Sequence, residues 1–469
     1  MPLLAFNPSL PPNLAAHGIM AVLIGAQLSP VAAERLLLVL YAVLLPASLK
    51  YAMRGASERT GGLEYLALPV VFNSHLHWGF LNFLLGLVGF LCAFGLWLRL
   101  RGRVADVASA AAMTGVLTAV YFCHPVPLIE FWIASAVLLA FDRARGRDSA
   151  AADARLLLLV SAVPAALLLH SVLARPPALV VEPQLAWPTI RYAGMSLVTL
   201  APLASYTTVE RIVAGCVALF AAVGAVMVWT NARGTEARAL LGAATVAALI
   251  VFAAPSQAAG ATLVTARLVY FPLFLVLVAM TTVAWPASWT TGFIVLALSL
   301  SCISTVSRWP IYERYDARMR EFLRLAETLP LPDRLYFAVT GEPTTMTLDD
   351  RGTPNLPASA WGYVAARRSQ WLASDYEPLL TYFPFVYRTA PQHHASVPPS
   401  CGQLSLPALQ SSAAGIDPAP IVIWMRLDRP ELRACSHSAP GVWKEARGED
   451  GALVAWWPAS TAGPASVTP

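Results

Sequence analysis

The sequence predicts an all-α polytopic membrane domain over residues 1–307, followed by a small α/β extracytoplasmic domain over residues 308–469. Three observations carry this. Residues 79–306 are mostly apolar runs of about 15 to 21 residues, close to the length a helix needs to cross a hydrocarbon core. The composition is 57% hydrophobic and 13% charged. Arginines gather in clusters between the runs, such as Arg99, Arg101, Arg103 and Arg143, Arg145, Arg147, as they do in the loops of membrane proteins.

About ten crossings are expected, near 35–53, 62–76, 79–98, 108–125, 127–142, 155–174, 210–230, 237–254, 267–285 and 289–306. Two shorter apolar segments, 13–28 and 190–206, are read as interfacial or re-entrant. The weakest run is 62–76. Pro69, Asn73 and His75 interrupt it there, which predicts a broken helix against a cavity.

Charge sets the expected orientation. Of the 17 Lys and Arg before residue 308, 12 lie in the segments 50–60, 99–107, 143–155 and 231–238, and alternation over ten spans puts all four on one face. The positive-inside rule makes that face cytoplasmic. The other face then carries His75, His77, His124, the stretch 175–209 and everything after residue 307. This is the plan of a multi-pass membrane protein with an extracytoplasmic C-terminal domain. The net charge of +5 is accounted for by anchoring, with no nucleic-acid partner implied.

From residue 308 proline, serine and charged residues rise. Tyr312, Tyr315, Met319, Phe322, Leu323 and Ala326 recur three or four apart, predicting a helix over 312–328. Apolar stretches at 335–340 and 421–425 predict buried strands. Cys401 and Cys435 are the two cysteines of this region and are expected to pair in an oxidising compartment. Cys92, Cys123, Cys216 and Cys302 lie in apolar spans, where a thiol acts as a small hydrophobe. No metal-ligand spacing is present; the adjacent His393 and His394 read as exposed loop residues.

A polar residue in a span is costly unless paired or hydrated, so each is a functional candidate. Three clusters stand out. Asn73, His75, His77 and Asn82 surround a turn, where the two rings suit either a substrate or phosphate contact or a hydrogen-bonded helix cap. Tyr121, His124 and Glu130 flank a second turn, in which Pro125 and Pro127 end one helix and open the next. Glu130 lies one turn into the following span, either as a general base or as a bond to a neighbouring helix. Arg267 and Tyr270 open a later span. There the guanidinium fork suits a phosphate, whether of a specific ligand or of the bilayer.

Pro11-Pro-Asn-Leu-Ala-Ala-His17, Ala33-Glu-Arg-Leu-Leu-Leu-Val-Leu-Tyr41, Leu76-His-Trp-Gly-Phe-Leu-Asn-Phe-Leu-Leu-Gly86, Tyr121-Phe-Cys-His124 and Tyr376-Glu-Pro-Leu-Leu-Thr-Tyr-Phe-Pro-Phe-Val-Tyr-Arg388 resemble a group of bacterial multi-pass proteins. That group has the general plan of the polyprenyl-phosphate-dependent glycosyltransferases of the GT-C fold. The resemblance covers most of the chain. It implies transfer of a sugar from a lipid-linked phosphate donor at the outer face, within a cavity between membrane helices and beside a soluble domain. Candidate catalytic residues are then Glu130, His75 and His77, and candidate substrate contacts are Asn82, His124, Arg267, Tyr270 and Tyr121. The donor and membrane lipids are the expected partners.

The resemblance also implies an acidic residue in the first outer loop, and no Asp or Glu precedes Glu34. The expectation is a natural start further upstream, with its own helix and acidic loop, or else a lost catalytic group. A divalent cation is implied only if such a loop exists. The chain as given is therefore expected to lack transfer activity, with Glu130 the one intramembrane carboxylate able to substitute. The competing classes are a membrane protein that binds or transports a lipid-linked substrate without making a bond, and an envelope-assembly subunit.

Overall fold

Serine, aspartate, histidine and threonine side chains mark where several helices begin. Ser29 accepts from the Ala32 N–H at 3.2 Å and Pro30 follows it, a start that satisfies one free donor and removes another. Asp106 accepts from Ser109 N–H at 2.6 Å. Thr207 and Glu210 form a reciprocal box: Glu210 N–H donates to Thr207 Oγ1 at 3.1 Å, and Thr207 N–H to Glu210 Oε2 at 2.6 Å. The computed structural model describes residues 4–329 apart from 8, 59, 104, 175–185, 232–233 and 258–262. Beyond them it describes 335–340, 363–364, 371–372, 385–387, 421–426, 443–448 and 453–458.

After a short strand β1 (Leu4–Phe6) come α1 (Ala15–Gly25), α2 (Pro30–Ala56), a 3-10 turn (Leu63–Ala67), α3 (Leu68–Val71), α4 (Ser74–His77) and α5 (Leu81–Leu100). Then follow α6 (Val107–Cys123), α7 (Pro125–Ala144), α8 (Ala150–Leu173), α9 (Ile190–Val198), a 3-10 turn (Ala201–Leu203) and α10 (Thr208–Asn231). The series closes with α11 (Thr235–Ala253), α12 (Val264–Leu268), α13 (Tyr270–Met280) and α14 (Ala287–Glu327). Seven of these, α2, α5, α7, α8, α10, α11 and α14, are long and apolar enough to cross a membrane. Three apolar stretches, 15–25, 107–123 and 264–280, are shorter.

This is the architecture of a multi-pass membrane protein. Large apolar side chains stand exposed on its helices, among them Leu158, Leu159 and Leu173 on α8, Ile212, Leu219 and Val226 on α10, and Val295, Leu298 and Val306 on α14. So extensive an apolar surface needs a cover, and a bilayer supplies it. Inside, Phe90 stacks on Phe94 and meets Phe271 edge-on, beside the fully buried Trp97. Helices α2 and α5 approach closely at glycines. A Cβ on Gly95 would stand 2.7 Å from Ala52 Cα, and one on Gly55 2.7 Å from the Gly95 carbonyl.

Two expected elements take another form. The run 62–76 is not one helix but a 3-10 turn, α3 and α4 in succession, with extended or irregular backbone at Phe72 and Asn73. Pro69 and Asn73 account for the breaks: the proline starts a helical turn, and the Asn73 side chain caps the next by accepting from Leu76 N–H at 3.1 Å. The separate helices expected at 289–306 and 312–328 are one, because α14 runs through Pro310 without ending.

The chain separates into two compact units. One comprises Phe6–Ser307 with Leu380–Pro384; the other comprises Met1–Ala5, Arg308–Leu379 and Phe385–Pro469. In the second, β2 (Leu335–Thr340) pairs in parallel with β3 (Trp371–Leu372) on one side and with β5 (Ile421–Arg426) on the other. After β4 (Phe385–Tyr387), the strands β6 (Trp443–Arg447) and β7 (Leu453–Pro458) complete a sheet in the order β3-β2-β5-β7-β6, with β7 antiparallel to both neighbours. Cys401, Cys435, His393 and His394 lie outside the described residues.

Candidate functional site at the histidine end of the bundle

The four basic segments meet at one end of the helix bundle. Arg99 Nη2 donates to the Tyr51 carbonyl at 2.8 Å. Arg101, buried, bridges Asp142 of α7 at 3.3 Å and also pairs with Glu236 of α11. Gly102 N–H donates to Asp153 of α8 at 2.9 Å. The ends of α5, α7, α8 and α11 are thus fastened at that end, with Arg101 paired to two carboxylates and Asp153 accepting from the Gly102 N–H and the Ser149 hydroxyl.

The histidines gather elsewhere, where α7 begins. Pro125 and Pro127 lack N–H groups, so Val126 is the one donor among the first three residues of α7. His124 Nδ1 accepts from it at 3.2 Å. That bond fixes the ring. Nε2 then stands 3.3 Å from Arg267 Nη1. A neutral imidazole carries one N–H. With Nδ1 occupied as an acceptor, the proton belongs on Nε2. His124 Nε2 and the Arg267 guanidinium thus stand within hydrogen-bonding distance of each other.

Aromatic rings wall this pair. Arg267 lies 4.5 Å above the Phe80 ring and 5.7 Å from that of Phe83. Phe83 also meets His124 edge-on at 5.5 Å and His75 at 5.2 Å. Gly86 leaves the room for this approach, since a Cβ there would stand 2.8 Å from Pro127 Cγ. His75, fully buried, reaches the Tyr270 hydroxyl through Nδ1 at 3.0 Å, and its Nε2 has no hydrogen-bond partner among the described residues. The structure thus brings His75, His124, Arg267 and Tyr270 into one cluster, with Phe80 and Phe83 as its walls.

The other candidates make different bonds. His77 Nδ1 lies 2.7 Å from Ser205 Oγ, and its ring is 5.0 Å from that of Tyr206. This turns it toward the start of α10, where Glu210 Oε2 accepts from the backbone of Ser205, Tyr206 and Thr207. Asn82 fastens α1, accepting from Ala16 N–H at 2.7 Å and donating to the Asn13 carbonyl at 2.9 Å. The Tyr121 hydroxyl meets the carbonyls of Leu10 at 2.8 Å and Leu167 at 3.1 Å. Glu130 is 1% exposed, and neither carboxylate oxygen has a hydrogen-bond partner among the described residues. Among those residues no group of three or more His, Cys, Asp or Glu side chains is suited to a metal ion.

Phe80 and Phe83 are the site residues that sequence reasoning passed over. Their spacing of three was the available signal, because it puts both rings on one side of the first turn of α5. The Thr207-x-x-Glu210 pattern was equally readable as a capping box. No protein family, curated protein or solved structure matches the chain.

Proposed function

We propose that the protein is a membrane glycosyltransferase that receives a polyprenyl-phosphate-linked sugar at the histidine end of its bundle. The observation that carries this is the Arg267–His124 pair, a guanidinium and an imidazole 3.3 Å apart inside an aromatic wall, a combination suited to an anion with more than one oxygen. A phosphate meets that need. A planar guanidinium is its best side-chain partner, and the neutral imidazole adds a second donor on the same side. The sugar-transfer half of the reading rests on the resemblance to the GT-C plan.

In this reading the basic end is cytoplasmic, by the bias of positive charge. The histidine end faces the outside of a bacterial inner membrane, and the second unit is a small α/β extracytoplasmic domain. Transfer is then a single displacement. A carboxylate takes the proton of the acceptor hydroxyl as its oxygen attacks the anomeric carbon. The bond from that carbon to the phosphate oxygen breaks, and the electron pair leaves on the phosphate. Arg267 and His124 receive the departing charge, where donors held in place before the reaction are most effective. Glu130, buried in the first turns of α7, is the carboxylate proposed for the proton. His75 supplies a further donor, and Tyr270 orients it, while His77 stands apart on Ser205.

The test is binding of a radiolabelled polyprenyl phosphate sugar to the protein in nanodiscs, with Arg267→Lys compared to the native chain. Lysine keeps the charge and loses the fork. Affinity is expected to fall about tenfold, the cost of roughly one charge-assisted hydrogen bond. Undiminished binding by the lysine variant would remove Arg267 from the site.

A further inference from the structure

His77 takes no part in the Arg267–His124 cluster, and its own contact is with a serine. We propose that His77 and Ser205 form a catalytic dyad that cleaves an oxygen ester bearing an apolar acyl chain, an activity separate from the sugar-lipid reading. The observation that carries it is the contact itself. His77 Nδ1 lies 2.7 Å from Ser205 Oγ, within the reach that a general base needs to activate a serine nucleophile.

Both residues are held in place. His77 sits on the four-residue helix α4, whose start is set by Asn73. That side chain accepts from Leu76 N–H at 3.1 Å and donates to the Val70 carbonyl at 2.9 Å and the Tyr41 hydroxyl at 3.2 Å. Gly79, at φ +74°, ends the turn in a conformation that glycine adopts at little cost. The Tyr206 ring lies 5.0 Å from the imidazole and supports it. Ser205 stands between the 3-10 turn 201–203 and α10, where Glu210 Oε2 gathers the N–H groups of Ser205, Tyr206 and Thr207 at 3.3, 2.6 and 2.6 Å. Just upstream, Leu200 has φ +44°, a left-handed backbone that costs leucine energy and that collects at functional sites. A serine and a histidine brought together by separate elements are recognised by this geometry on unrelated folds.

With the ring proton on Nε2, His77 Nδ1 accepts the Ser205 hydroxyl proton. Oγ attacks the carbonyl carbon of the ester, the bond from that carbon to the alcohol oxygen breaks, and the alcohol leaves with the proton that His77 took. Water then attacks the acyl carbon and gives a proton to His77, and Ser205 recovers it as the acid departs. One ester and one water become one acid and one alcohol. Both residues are half-buried, so the pair is not sealed from an incoming ester. Trp78, next to His77 in the chain, is 37% exposed and Val209, at the start of α10, is 38% exposed; such side chains suit an apolar acyl chain.

The experiment treats the full protein in nanodiscs with a biotin-tagged alkyl fluorophosphonate and maps the adduct by mass spectrometry. The reagent forms a phosphorus–oxygen bond to an activated serine while its phosphorus–fluorine bond breaks and fluoride leaves. Ser205 of the native protein is expected to be modified, and His77→Gln to slow that modification at least about hundredfold, the scale of general-base catalysis. Release of p-nitrophenol from p-nitrophenyl octanoate is expected from the native protein and lost in Ser205→Ala. No adduct on Ser205, an adduct that forms as fast in His77→Gln as in the native chain, or ester cleavage that Ser205→Ala retains would overturn the proposal. Should the glutamine variant not fold, competition decides in its place: p-nitrophenyl octanoate is expected to protect native Ser205 from the reagent, and labelling that the ester does not slow would overturn the dyad. Sugar-lipid binding at Arg267 is untouched by either result.

Discussion

Tyr121 and His124 lie three residues apart at one turn, yet their bonds assign them different work. Tyr121 is spent on the backbone of Leu10 and Leu167. Tyr121→Phe is therefore expected to lower thermal stability by about 1 kcal/mol while donor affinity stays at the native level; a loss of affinity at unchanged stability would place its hydroxyl on the ligand instead. His124→Asn separates two roles of one side chain. Asparagine is a good N-cap, so α7 should keep its start, but the short side chain cannot carry a donor to where Nε2 stands. Reduced donor binding with a native melting temperature is expected, and the reverse pattern would make His124 a cap only. Glu130 calls for a different readout, because a base acts on the proton and not on the phosphate. Glu130→Gln should abolish transfer and spare binding in a preparation that transfers sugar, and full transfer by the glutamine variant would exclude it as the base.

At the scale of elements, close helix contact and backbone chemistry set what each piece tolerates. A methyl group on Gly95 meets Ala52 Cα and N of α2, atoms that cannot turn aside, so Gly95→Ala should destabilise the bundle by about 1–3 kcal/mol in a detergent melt. An unchanged melt would mean that α2 and α5 are not held together there. Much of this layer was legible in the sequence. The apolar runs marked the long helices, and Pro69, Asn73 and His75 marked the broken one, because proline and a capping asparagine act locally. The continuity of α14 was not legible. A proline and a change of composition at 308 both argue for a stop, whereas α14 runs on to Glu327. Nor could spacing show that Asn82 and His77 turn away from His75. Their partners, Ala16 and Ser205, lie 66 and 128 residues distant in the chain, and such pairings are made by packing rather than by pattern.

For the whole molecule, the hydrogen bonds of Arg99 and Gly102 and the ion pairs of Arg101 collect the four basic segments at one end. This was foreshadowed by their alternation with apolar runs. The proposed orientation predicts opposite signals from topology reporters fused at Gly146 and at Gly402, and equal signals would refute it. The histidine cluster was legible only as residue types, because His75, His124 and Arg267 come from three separate parts of the chain. Their convergence is the central claim's foundation, and the most direct measurement is photo-crosslinking. A polyprenyl phosphate sugar carrying a photoreactive group next to its phosphate is irradiated with the protein in nanodiscs, and the adducts are mapped by mass spectrometry. Adducts are expected within residues 75–83, 120–128 and 264–271, and to be lost when unlabelled donor competes. Adducts confined to the basic end, around Arg101 and Arg147, or a pattern that unlabelled donor does not displace, would contradict the account.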